Sequence, residues 1–119
     1  MQDILFRVLV GGVDALVLMD EPAFTGCVLR CRVIGIIEGE QGSKKDKKRN
    51  DRIVAIEKEN HSLANIVQIN DLGKKFLNEL ENFFVNYHEL SGEKYKIWGV
   101  NGPSQARKRI GDAMRLYRK

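Results

Sequence analysis

The sequence contains few of the residues that cross-link or interrupt a chain: two cysteines, two prolines and one tryptophan among 119 residues. Cys27 and Cys31 stand four apart in a predicted strand, and at about 3.3 Å per residue their separation of about 13 Å is too long for a disulfide. A metal site would need further Cys or His ligands nearby in the sequence, and none is present. These absences exclude a disulfide-stapled domain and favour two buried thiols in a reducing compartment.

Long hydrophobic runs are also missing, since no apolar stretch approaches the roughly 20 residues that a membrane-spanning helix needs. The N-terminus lacks a basic region followed by an apolar signal core. We therefore expect a cytoplasmic protein that does not enter the membrane.

The composition is that of an ordinary folded domain, with 43% hydrophobic and 30% charged residues. The length suits one domain, residues 1–119, with a single modest core. The net charge is +4, and the basic residues gather in the segment Lys44–Arg49 and near the C-terminus. Such clusters attract phosphate or nucleic acid, or they form solvated surface.

Five apolar or alternating runs predict strands. They cover residues 4–10, 13–19, 27–38, 52–57 and 94–99. Gly35 predicts a bend or a bulge in the third strand. We expect residues 40–49 to form an exposed, mobile hairpin loop and residues 61–70 a short irregular turn.

Apolar residues at three- and four-residue steps predict a helix that faces the core. These residues are Leu72, Phe76, Leu80, Phe83, Phe84 and Tyr87. Asp71 is predicted to cap this helix, a second helix is expected from Ser104, and Trp98 is expected to pack against a helix. The order of elements predicts an α+β fold, with the helices covering one side of a mainly antiparallel sheet.

The segments Gly11–Leu18 and Gly26–Gly35 resemble the central strands of the soluble family I inorganic pyrophosphatases. The family motif is Asp-x-Asp-Pro-x-Asp, and Asp14 matches its last residue. Leu9, Gly11 and Gly12 stand where the family has Asp, Asp and Pro. The resemblance implies a small β-barrel of the oligonucleotide-binding type flanked by two helices.

The resemblance begins at about Leu9, so we expect the chain to lack the family's N-terminal third. Either the protein is a shortened homologue or its start was assigned too late. A missing part of the β structure would leave open strand edges, and we expect a homo-oligomer to cover them.

The resemblance also implies Mg²⁺ ions, which carboxylates hold around pyrophosphate in this family. Asp14 matches a metal-binding and catalytic position. Glu40 or Gln41 falls at a second acidic position, and Asn50 replaces a third, with Asp51 beside it. The candidate metal ligands are therefore Asp14, Glu40 and Asp51, although Asp14 can equally be a buried core carboxylate with a polar partner.

The phosphate-binding positions of the family are better preserved. Arg52 stands where the family has Lys, while Tyr87 and His88 match the Tyr-Lys pair of a Phe-Phe-x-x-Tyr-Lys-x-Leu motif, with His in place of Lys. Tyr87 can also be a core aromatic. We expect impaired or lost hydrolysis with residual phosphate or pyrophosphate binding.

Two alternatives remain open. The first is an active Mg²⁺-dependent inorganic pyrophosphatase. The second is a non-enzymatic barrel that binds nucleic acid, and the basic segment Lys44–Arg49 favours it.

Overall fold

The computed structural model describes residues 4–10, 13–19, 30–43, 46–90 and 94–117. The strands are β1 (Ile4–Val10), β2 (Val13–Met19), β3 (Cys31–Ser43), β4 (Asp46–Arg49), β5 (Arg52–Glu57) and β6 (Lys94–Asn101). The helices are α1 (Lys74–Leu90) and α2 (Pro103–Tyr117), and two short 3₁₀ turns span His61–Leu63 and Ile69–Leu72. Neither described helix has the length and apolar character that crossing a lipid bilayer requires.

The six strands form one sheet in the order β1-β2-β5-β3-β4, and β6 pairs with the other edge of β3. The pairing of β2 with β5 is parallel, and the other pairings are antiparallel. The predicted α+β class and mainly antiparallel sheet are confirmed. Within the described residues the sheet is open, because closing a barrel requires its end strands to pair and β1 pairs with β2 alone.

Both faces of the sheet are apolar, and each is covered by one helix. The face that packs against α1 and its Leu80, called the α1 face, carries Leu16, Leu18, Ile37, Val54, Ile56 and Tyr95. The opposite face, called the α2 face, carries Ala15, Ile36 and Ile53 against Ala106 and Ala113 of α2. The prediction that both helices cover one side is therefore wrong. Every residue of β5 is buried, so both sides of this central strand need a cover.

The segment predicted as an exposed hairpin loop is a hairpin whose two arms are regular paired strands. β3 continues to Ser43, and Glu40 pairs with Arg49 of β4. The lysine-rich sequence still leaves β4 fully exposed.

At the other end of β3, Cys31 is partly buried, which raises the pKa of its thiol. Cys27 lies outside the described residues.

Three side chains near α1 and β6 differ from expectation. Phe83 is 50% exposed, so it does not pack fully into the core as predicted, and Trp98, which was predicted to pack against a helix, is 51% exposed. Asp71 accepts hydrogen bonds from the backbone N–H groups of Val67 and Gln68, both at 3.1 Å. These bonds lower the pKa of Asp71. Asp71 is therefore the acidic partner in the capping box of the second 3₁₀ turn, whose N-cap is Gln68, and it does not cap α1, which begins at Lys74.

The predicted irregularity at Gly35 is confirmed, because the β3–β5 register shifts between Val33 and Gly35. A Cβ atom at Gly35 would lie 2.6 Å from the carbonyl oxygen of Asn101 and 2.7 Å from Cβ of Ile69. Both neighbours are fixed by the sheet and the core. Glycine is thus required here by close packing.

We predict that Gly35→Ala lowers the free energy of unfolding by about 1–3 kcal/mol through overpacking. Gly111→Ala in α2 is the matched control, because an added Cβ there has nothing within 4 Å. It should raise stability by about 0.5–1 kcal/mol through helix propensity. Urea denaturation of both variants checks this, and equal effects of the two substitutions would contradict it.

Candidate functional site

The centre of the site is a buried ion pair between two neighbouring strands. Asp14 of β2 lies directly across from Arg52 of β5, and Nη1 of Arg52 contacts Oδ2 of Asp14. Their side chains are only 8% and 5% exposed. Two charges removed from water in this way depend on mutual compensation. The geometry is that of a buried carboxylate with a polar partner, one of the two interpretations of Asp14.

Tyr95 joins this pair on the α1 face. Its ring centroid lies 5.9 Å from the guanidinium carbon of Arg52, and its hydroxyl donates a hydrogen bond of 2.7 Å to the carbonyl oxygen of Asn50. Burial raises the pKa of Tyr95 to about 12, although the charge of Arg52 acts in the opposite direction. A Cβ atom at Gly39 would lie 2.8 Å from the hydroxyl oxygen, so glycine lets the ring reach this position.

Asp51 lies on the other side of the sheet. Because successive residues of a strand point to opposite faces, Asp51 shares the α2 face with Ile53, while Arg52 points to the α1 face. The side chain of Asp51 is fully buried, and its Oδ2 accepts hydrogen bonds from Nε of Arg49 at 2.7 Å and Nε of Arg109 at 3.0 Å. Its Oδ1 accepts the backbone N–H of Gly39 at 3.3 Å. Asp51 thereby connects β3, β4 and α2.

Glu40 also lies on the α2 face, between its cross-strand neighbours Arg49 and Lys96. The three predicted metal ligands are therefore not brought together, because Asp14 faces α1 while Glu40 and Asp51 face the opposite way. The reason is the two-residue alternation of the strands. Among the described residues, no group of three His, Cys, Asp or Glu side chains is placed to hold a metal ion.

The described residues thus do not fit a Mg²⁺ site. Mg²⁺ needs carboxylate oxygens and tightly bound waters in a near-octahedral arrangement. The carboxylates of Asp14 and Asp51 instead contact guanidinium groups. Asn50, at a position where the family has an acidic ligand, donates its side-chain N–H to Oε1 of Gln41.

The remaining predicted phosphate-binding residues are Tyr87 and His88. Both belong to the last turns of α1, but their side chains lie outside the described part of the chain. Their roles stay predictions. Arg52 is the one residue of the predicted phosphate-binding set whose surroundings the structure describes.

Sequence reasoning missed Tyr95 and Arg109 as parts of these sites. For Tyr95 a signal was present, because the alternation of Lys94 and Lys96 with Tyr95 and Ile97 places the tyrosine on the buried face. For Arg109 no local pattern exists. Its contact with Asp51 joins residues 58 positions apart.

The fold and the site define an α+β chain with a mixed sheet, one helix on each face and buried carboxylate–guanidinium pairs. A family model described as inorganic pyrophosphatase matches residues 11–118. The chain belongs to the inorganic pyrophosphatase family, which confirms the resemblance seen in the sequence.

Individual relatives support the same family assignment. The chain is 30% identical to an inorganic pyrophosphatase of Halalkalibacterium halodurans over 105 residues, which cover 88% of this chain and 62% of the relative. It is 32% identical to one of Ralstonia nicotianae over 108 residues, covering 90% and 61%. The solved Helicobacter pylori inorganic pyrophosphatase matches with a TM-score of 0.78 at 26% identity, covering 95% of this chain and 67% of that one. The chain thus spans about three fifths of the length of these curated relatives.

We predict that breaking the buried pair from one side is costly. Arg52→Met leaves the Asp14 carboxylate buried without its guanidinium and should lower the free energy of unfolding by about 3–5 kcal/mol. The double variant Asp14→Leu with Arg52→Met replaces both charges by apolar groups and should recover most of this loss. Denaturant titration of the two single variants and the double variant gives the coupling energy. Additive effects would contradict a direct interaction.

We predict a loss of stability at high pH from Tyr95. Its pKa of about 12 in the folded state lies above the unfolded value of about 10. The unfolded chain therefore releases this proton first, and stability falls as the pH rises between these two values. The absorbance of tyrosinate should show a late titration, and Tyr95→Phe should lower its amplitude by one tyrosine. A late titration of unchanged amplitude in this variant would contradict the assignment.

Proposed function

We propose that this chain is a member of the inorganic pyrophosphatase family with impaired or lost hydrolysis, which still binds pyrophosphate or a related phosphate compound. The observation that carries the proposal is the buried ion pair of Asp14 with Arg52. A carboxylate that neutralises a buried guanidinium is a poor ligand for a divalent cation, because binding the metal would uncouple that guanidinium from its counter-charge.

Phosphate binding is supported by the chemistry of Arg52. A guanidinium has five N–H donors in a planar fork, so it can serve the Asp14 carboxylate and a phosphate oxygen together. Arginine also matches phosphate geometry better than the lysine expected from the family motif. Tyr87 and His88 are proposed to complete this contact from the end of α1.

An active Mg²⁺-dependent inorganic pyrophosphatase is the competing proposal. It requires ligands beyond the described carboxylates, for example from a second copy of the chain in the proposed homo-oligomer. The cytoplasmic location also remains a proposal.

An assay of Mg²⁺-dependent phosphate release distinguishes the two proposals. Phosphate release from pyrophosphate is measured with the purified chain, with and without Mg²⁺, beside Asp14→Asn. We expect no Mg²⁺-dependent release above background in either protein. Metal-dependent turnover that is lost in Asp14→Asn would show that Asp14 serves a working metal site.

Binding is tested separately by calorimetric titration of pyrophosphate in the presence of a metal chelator. We expect metal-independent binding that Arg52→Lys weakens by about tenfold, since it removes the fork but keeps the charge. Lys75→Ala, an exposed change in α1, is the control and should bind like the wild type. Binding equal in all three proteins would exclude Arg52 as the contact.

A further inference from the structure

The α2 face continues beyond the core into an exposed basic surface. Cross-strand pairing places Lys47 and Lys94 on either side of Gly42, and Arg49 and Lys96 on either side of Glu40. All four cations are exposed. At about 4.8 Å between strands, the two rows stand about 10 Å apart. A Cβ atom at Gly42 would clash with the carbonyl oxygen of Asp46, so the backbone of the hairpin fills this position and the cations stand as two rows on either side of β3.

Trp98 of β6 lies opposite Glu38 and Gly39 of β3 and is 51% exposed. It is the extra residue of a β-bulge, because Glu38 pairs with Gly99 and Gly39 with Ile97. Bulges redirect side chains and are frequent next to functional sites. The guanidinium of Arg49 lies 5.8 Å from the Trp98 ring centroid, so the bulge presents a flat aromatic surface beside a cation.

A cleft of about 400 Å³ extends the same surface towards α2. It is lined by Arg49, Gln105, Lys108, Arg109 and Asp112. Arg49 belongs both to the cleft and to the strand surface, so the cleft and the two rows of cations form one region. We call this region the basic platform: Lys47, Arg49, Lys94, Lys96 and Trp98 on the strands, with Lys108 and Arg109 on α2.

Acidic groups on the platform are mostly engaged in ion pairs. Glu38 contacts Arg49 at 3.0 Å, Asp51 contacts Arg49 and Arg109, and Asp112 contacts Arg115. Glu40 stands between Arg49 and Lys96. The exposed lysines therefore carry the excess positive charge of the surface.

We propose that the basic platform binds single-stranded nucleic acid. Sequence-independent binders of single strands combine a basic groove that follows the phosphates with aromatic side chains on which bases stack. The cations cover two strands and a helix, which suits several successive phosphates better than one small anion. This proposal does not depend on the function proposed above, since Arg52 and Asp14 lie on the opposite face.

The test is fluorescence titration with single-stranded oligothymidine of about 20 nucleotides. This length exceeds the about 4–16 nucleotides that one oligonucleotide-binding fold covers. Trp98 is the only tryptophan in the sequence, so stacking should quench the intrinsic fluorescence directly. Anisotropy of a labelled oligonucleotide gives the affinity.

We expect Trp98→Ala to weaken binding by about tenfold, as the loss of one stacked base requires. Lys47→Ala should lower the magnitude of the slope of log K against log salt by about 0.7, the value for one phosphate contact of a single strand. Lys75→Ala in α1 removes the same charge from an exposed site off the platform and should leave affinity and slope near those of the wild type. Thermal melts check that the variants are folded.

Three results would overturn the proposal. The first is no binding by the wild type at low salt. The second is an equal effect of Lys47→Ala and Lys75→Ala together with unchanged affinity in Trp98→Ala. The third is thymidine triphosphate binding as tightly as the oligonucleotide, which would indicate a mononucleotide site.

Discussion

The sites of this chain depend on ion pairs between arginine side chains and buried aspartate carboxylates. Asp14 lies in β2 and Asp51 directly before β5, and both are buried, where an isolated carboxylate would be strongly unfavourable. On the α1 face Asp14 is neutralised by Arg52 across a parallel strand pair. On the α2 face Asp51 is neutralised by Arg49 and Arg109. The same pairs that allow the charges to be buried engage Oδ2 of each carboxylate with guanidinium groups.

The two pairs have different consequences. The Asp14 pair lies beside Tyr95 among the apolar residues of the α1 face, where a low dielectric strengthens electrostatic interactions. The Asp51 cluster instead joins three elements, because its carboxylate receives donors from β3, β4 and α2. The α1 face thus contains an enclosed guanidinium. The α2 face instead carries an exposed basic surface, in which the buried Asp51 carboxylate orients Arg49 and Arg109.

Much of the fold could be predicted from the sequence, because the strands and helices follow from apolar periodicity and glycine placement. Strands 4–10, 13–19 and 52–57 were predicted with the bounds observed. The exposure of Phe83 and Trp98 could not be predicted, since it depends on which side of each element the tertiary fold covers. The separation of Asp14 from Asp51 was accessible in principle, because Asp51 and Arg52 are adjacent in an extended segment and must point to opposite faces.

The central claim is that the Asp14 carboxylate belongs to Arg52 and not to a metal ion. It is tested most directly by the ¹³C NMR signal of the Asp14 side-chain carboxyl carbon, assigned by its absence in Asp14→Asn, during titration with millimolar Mg²⁺. The account predicts a signal that does not move with Mg²⁺. A shift that saturates with Mg²⁺ would contradict it and would place the metal at Asp14.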